Sequence, residues 1–181
     1  MAEKKKRAGR RAYLDDFHRS ASGEYVYDGE YYTYLNKGKT RARALTELWS
    51  LAAACAAASV VSGCLSANGA GNCIYVLLPY VLEVAFAGSF IWALAQLTTG
   101  GEPLPEYIRD ATIPKMPGRA AACAAAAGLG TLGEGIYLLL HGFGGKTAAS
   151  IAYLALKLAC AGLALLLRRR IKGLEWQKKQ K

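Results

Sequence analysis

The chain has 181 residues, 53% of them hydrophobic and 20% charged, with a formal net charge of +10. Charge collects at the two ends and apolar residues in the middle. That segregation excludes a disordered polymer, a disulfide-stapled mini-domain and a simple soluble nucleic-acid-binding domain.

What remains is an integral membrane protein: an all-α transmembrane bundle of four helices with a small N-terminal β-hairpin. Residues 1–43 form a basic leading segment, 44–167 the four-span bundle and 168–181 a basic tail.

The leading segment opens with Lys4-Lys5-Lys6-Arg7 and Arg10-Arg11, a run suited to solvent or to anionic lipid. Further on, Gly23-Glu24-Tyr25-Val26-Tyr27 is echoed by Gly29-Glu30-Tyr31-Tyr32-Thr33-Tyr34. Asp28-Gly29 between them predicts a type I′ hairpin. In that register Tyr25 opposes Tyr32, and Tyr25, Tyr27, Tyr32 and Tyr34 share one face. A lone hairpin is marginal in water, so this one needs a surface, either the membrane interface or a protein partner.

The spans are expected at Ala44–Cys64, Ile74–Thr98, Ala120–Leu140 and Thr147–Leu167, each about the 20 residues that a bilayer core requires. The first begins too late for an ordinary signal peptide. Val61-Ser62-Gly63-Cys64 resembles a lipoprotein cleavage box, but an uncleaved first span is the favoured reading. Cys64 and Cys73 bracket the loop that follows and are expected to form a disulfide. Cys55, Cys123 and Cys160 lie inside spans and read as small packing residues.

Between spans two and three, residues 100–118 carry Pro103, Pro105, Pro114 and Pro117. They forbid a long helix and leave room for one turn at Glu106–Ala111. Gly145-Lys146-Thr147, before span four, looks like the end of a phosphate loop, but the required earlier glycine is Leu140. The two histidines, His18 and His141, are expected on opposite sides of the membrane, so no His-rich metal site is predicted.

Orientation follows from the basic residues. Eleven Lys and Arg precede span one, three lie between spans two and three, and seven follow span four. Thus 21 of 23 fall on one side, which predicts a cell-membrane protein with both termini in the cytoplasm.

Three ionisable residues lie within spans: Glu83, Glu134 and Lys157. At 1.5 Å per residue they sit about 13, 9 and 15 Å below the outer face, near enough in depth to meet. A charge at mid-bilayer costs roughly 2.5–3.5 kcal/mol, so such groups face a bundle interior and pair. Pro79, four residues before Glu83, frees the carbonyl of Tyr75. Small residues repeat along Ala52, Ala56 and Ser59, along Ala122, Ala126 and Gly130, and along Ala152, Ala155, Ala159 and Gly162. These faces permit close helix packing.

No catalytic constellation, metal set or cofactor motif stands out. The first functional expectation is a non-enzymatic accessory or interaction subunit of a membrane complex. Its partners would be the bilayer, anionic lipid at the basic termini, and other membrane subunits or a second copy, with no nucleic acid. The alternative is a small oligomeric transporter or channel that uses Glu83, Glu134 and Lys157.

Overall fold

The computed structural model describes residues 16–20, 23–35, 38–71 and 73–179; the basic run at residues 4–11 lies outside them. In chain order the elements are β1 (Phe17–Arg19), β2 (Tyr25–Tyr27), β3 (Tyr31–Tyr34), α1 (Arg41–Cys64) and α2 (Ile74–Thr99). They continue with β4 (Leu104–Pro105), α3 (Glu106–Thr112), α4 (Met116–His141), α5 (Thr147–Lys172) and β5 (Trp176–Lys178). The fold is mostly helical, and α1, α2, α4 and α5 are each long and apolar enough to cross a membrane. Their 24–26 residues make rods of about 36–39 Å.

Local chemistry sets the helix ends. Thr40 caps α1, its hydroxyl accepting from the Arg43 N–H at 3.4 Å. Pro117 sits in the first turn of α4, where its missing N–H costs nothing. Gly142, at φ +68°, ends α4 in a conformation that side chains rarely adopt. Arg169, Arg170 and Lys172 close α5, with charge complementary to its C-terminal dipole.

The four long helices form a square. α4 packs on α5 and α2, and α1 packs on the same two neighbours, so α1 faces α4 across one diagonal and α2 faces α5 across the other. The core runs through Leu48, Ala52, Cys55, Leu94, Leu97, Cys123, Ala127, Cys160 and Ala164. Outward side chains such as Leu78, Val81, Trp92, Leu132 and Leu165 are exposed and apolar.

The small-residue faces divide. Ala52, Ser59, Ala126 and Gly130 are buried. The predicted packing face of α5 is not used: Ala155, Ala159 and Gly162 are exposed, and the buried face is Ser150, Tyr153, Lys157, Cys160 and Ala164. Two large polar residues at helical spacing, Tyr153 and Lys157, have set the rotation of α5.

Helices α2 and α4 approach closely beside Pro79. A Cβ added at Gly133 of α4 would lie 2.7 Å from the carbonyl oxygen of Tyr75 on α2. That carbonyl is the one Pro79 leaves without its helical donor. Glycine lets the α4 backbone cover it.

At one end of the bundle the non-helical segments build a cap from two small sheets. The predicted Tyr-rich hairpin is not formed. β2 pairs antiparallel with β1, placing Phe17 opposite Tyr27, and β3 pairs antiparallel with both β4 and β5. A type I′ turn needs positive φ at both central residues, and neither Asp28 nor Gly29 has it. Gly23, at φ +87°, takes the turn instead, and the Asp28 N–H extends the β1–β2 ladder by donating to Asp16 at 2.8 Å. The chain therefore runs on past Gly29 and delivers β3 to a different sheet. That sheet joins a strand before α1, one between α2 and α4, and one after α5.

The proline-rich loop forms the expected single short helix, as α3. Its Tyr107 ring lies 5.2 Å from Tyr27 and 5.7 Å from Phe17. Burial among these rings, with Asp16 and Glu106 nearby, pushes the Tyr27 hydroxyl up to about 12. Burial and the neighbouring Glu30, Asp110 and Asp16 carboxylates likewise hold Glu106 above the usual carboxylate range.

Two outcomes are expected. Gly133→Ala should cost about 1–3 kcal/mol in detergent unfolding, because the obstacle is backbone and cannot rotate away; an unchanged midpoint would mean that the two helices separate freely. Glu106 carries a folded-state value above its unfolded one, so its charged form opposes folding and stability falls as pH rises through that value. Glu106→Gln should slow proteolysis of the cap at neutral pH and match the parent below about pH 4, where both side chains are neutral. Equal digestion rates at neutral pH would show that the carboxylate is solvated.

Candidate functional site

The bundle centre holds a polar cluster with no solvent exposure. Lys157 of α5 reaches across the diagonal to α2, its Nζ donating to Glu83 Oε2 at 2.8 Å. The other carboxylate oxygen, Oε1, accepts from Ser59 Oγ of α1 at 2.6 Å. Both Lys157 and Glu83 are 0% exposed. The ammonium also lies 4.3 Å from the centre of the Tyr80 ring and 5.3 Å from that of Tyr153. Each ring presents its negative face to the cation.

Those two tyrosines have a second role. Together with Ser66, Ala67, Leu77 and Lys146 they line an open cleft of about 280 Å³ at the end of the bundle opposite the cap. Tyr80 and Tyr153 thus stand between the cleft and the Lys157–Glu83 pair. Among the described residues lining the cleft, Lys146 is the one that carries a formal charge.

Glu134 is fully buried but does not pair with Lys157. Its Oε1 accepts from the Gly69 N–H at 3.3 Å, and its Oε2 has no hydrogen-bond partner. The hydroxyl of Tyr153 is a second buried polar atom without one. Glu134 therefore fastens the α1–α2 loop onto α4. Asn68 adds to this anchorage, its N–H donating to Ser150 Oγ at 3.4 Å and its Nδ2 to the Gly142 carbonyl at 3.2 Å.

This anchorage accounts for the cysteines that bracket the loop. Cys64 and Cys73 are free thiols, and the expected disulfide is absent. Residues 65–71 lean over α4 and α5, where Ala67 packs with Val76 and Tyr153, and the Cys73 N–H closes a turn onto Gly69 at 3.1 Å. Glu134, Ser150 and Gly142 hold the loop in place of a bridge.

The four tyrosines of the predicted hairpin are separated. Tyr27 packs among Phe17, Tyr31 and Tyr107. The Arg109 guanidinium lies 4.2 Å from the Tyr32 ring centre, and Tyr34 meets Trp176 edge to face at 5.6 Å. Tyr25 alone of the four is largely exposed, at 75%. The cover that the stripe required comes from the chain's own central loop and tail. Beside Tyr34, a groove of about 440 Å³ is lined by Lys39, Arg169 and Arg170, with Lys39 held by Glu47 at 2.5 Å.

One grouping was missed in the sequence. Cys55, Cys123 and Cys160, on three different helices, bring their sulfurs within 4.8 Å of one another, all buried. Each had read as an isolated packing residue. The available signal was that Cys55 lies one turn from Ser59 and Cys160 one turn from Lys157, on the side facing the charge pair.

Compared with known proteins, the chain matches no family model, no curated protein and no solved structure.

A double-mutant cycle reads the charge pair directly. Lys157→Met alone leaves Glu83 buried without its counter-ion, a change that typically costs about 3–5 kcal/mol. Adding Glu83→Gln should recover a substantial part of that loss in detergent unfolding. Adding Glu134→Gln should be additive within about 0.5 kcal/mol, since Glu134 bonds elsewhere. Additivity with Glu83→Gln would mean that the two side chains do not interact.

Proposed function

We propose that this chain is a small membrane transporter or channel for a small anion, with Lys157 and Glu83 as the central binding site. One observation carries the reading: an unexposed Lys–Glu pair lies directly behind the tyrosine floor of an open cleft. A purely structural ion pair needs no access route. This one has a vestibule ending one aromatic layer away. Ionisable residues within a bilayer ordinarily mark a substrate or ion path, and a proline-interrupted helix beside them is a recurrent feature of transporters.

The sign of the solute follows from the charges along the route. Lys146 lines the cleft, and Lys157 lies beneath its floor. An anion entering past Lys146 would compete with Glu83 for the Lys157 ammonium. The Ser59 hydroxyl would keep its hold on the displaced carboxylate. Rotation of Tyr80 or Tyr153 would open the way.

Sidedness rests on the distribution of basic residues. Among the described residues, 13 of the 15 Lys and Arg lie at the cap end, all but Lys146 and Lys157, and the asymmetry rule would put that end in the cytoplasm. The cleft then opens outward, and the groove of Lys39, Arg169 and Arg170 meets the anionic inner leaflet. Four helices enclose a narrow path, so the working unit would be an oligomer. The accessory-subunit reading drew its force from an uncovered tyrosine stripe, and three of those four tyrosines have partners within the chain.

The test is flux in vesicles containing the purified protein and a halide-sensitive dye, with chloride and nitrate as probes. Wild type should admit anion faster than empty vesicles, Lys146→Gln should slow entry several-fold, and Lys157→Met with Glu83→Gln should abolish it while the bundle stays folded. Flux unchanged in the double variant would reduce the pair to a structural staple. A protein that admits no anion, yet co-purifies in fixed ratio with a different membrane protein, would be an accessory subunit.

A further inference from the structure

On the cap side of the Lys157–Glu83 pair, one helical turn away, lie the three buried cysteines. Cys55 of α1 and Cys160 of α5 have their sulfurs 3.2 Å apart, and each sulfur also lies 3.8 Å from the other residue's carbonyl oxygen. Cys123 of α4 completes the group, 3.8 Å from the Glu83 carbonyl. Ser59 Oγ stands 3.3 Å from the Cys160 sulfur and links the group to the charge pair. Toward the cap, Cys55 and Cys123 line a narrow cavity of about 10 Å³ together with Ala52, Phe90, Ala164 and Leu167.

We propose that Cys55, Cys123 and Cys160 form a binding site for one monovalent soft cation of the copper(I) class. The donor set decides the chemistry. Three sulfurs with no imidazole and no metal-facing carboxylate select a thiophilic ion. A metal–sulfur bond of about 2.3 Å places three sulfurs of a trigonal site about 4.0 Å apart. One pair of sulfurs is 3.2 Å apart and all three lie within 4.8 Å of one another, which is compatible with that value. Entry of an ion therefore requires side-chain shifts of about an ångström or less.

Coordination number separates copper(I) from zinc. A monovalent soft ion is satisfied by two or three sulfurs, and each thiol that ligates it gives up its proton to solvent as its metal–sulfur bond forms. No electron moves. Zinc usually takes a fourth ligand, and the nearest oxygen, Ser59 Oγ, is already committed to Glu83. Small size alone would explain three separate cysteines. It does not explain three helices placing their sulfurs at one point.

The site is independent of the transport reading, and its test reads binding rather than flux. Full-length protein, reduced and kept anaerobic in detergent, is titrated with copper(I) delivered from a weak chelator. One equivalent should bind, giving thiolate-to-metal absorption in the ultraviolet, an X-ray absorption shell of three sulfurs and a higher melting temperature, as binding to the folded state requires. Cys64→Ser with Cys73→Ser should bind as wild type does. Cys55→Ser, Cys123→Ser or Cys160→Ser should each lower affinity by about tenfold or more. If those variants do not fold, the stoichiometry, sulfur shell and melting shift of the native core still decide the matter. No bound copper, a shell lacking sulfur, binding that survives loss of all three thiols, or a Cys55–Cys160 disulfide in anaerobically purified protein would overturn the proposal.

Discussion

The bundle depends on one buried hydrogen-bonded ion pair. Lys157 and Glu83 sit on helices across a diagonal, and Ser59 brings in a third helix through the same carboxylate. Packing among apolar helices is only weakly directional in lipid, because lipid tails compete on equal terms. A charge that must find its partner is directional. It fixes the rotation of α5, turning Tyr153, Lys157 and Cys160 inward and leaving Ala155, Ala159 and Gly162 outside. It also fixes the depth of α2, and so brings Pro79 and the free Tyr75 carbonyl to Gly133. The cleft floor and the cysteine cluster lie on either side of this pair.

Much of the architecture was legible in the sequence because bilayers impose long-range rules on composition. Span lengths follow from hydrocarbon thickness, and the inward placement of Glu83, Glu134 and Lys157 follows from the cost of exposing charge to lipid. Depth arithmetic brought all three residues to a common level but could not choose a partner for Lys157. That choice depended on the α1–α2 loop, which leans over α4 and gives Glu134 a backbone donor at Gly69. The same lean removed the expected Cys64–Cys73 bridge. Nothing local in residues 65–71 specifies that tilt.

The cap was less legible for a different reason. Its strands are two to four residues long, too short for alternation to register, and β3 finds its partners about seventy and one hundred and forty residues further along. Asp28-Gly29 is a strong local hairpin signal that lost to tertiary pairing. Phe17 offered Tyr27 a ring to pack on, and Tyr107 and Trp176 covered what a hairpin would have left bare. The cysteine cluster was hidden differently: each thiol is unremarkable alone, and only the arrangement of the helices brings them together.

The cap also imposes an order on assembly. Strand β3 is synthesised before the first long helix, whereas β5, one of its two partners, lies after the last. The three-stranded sheet therefore cannot close until all four long helices have been made and β5 has emerged from the ribosome. The cap thus acts as a check on assembly, closing only when β3, β4 and β5 arrive at the same end of the bundle.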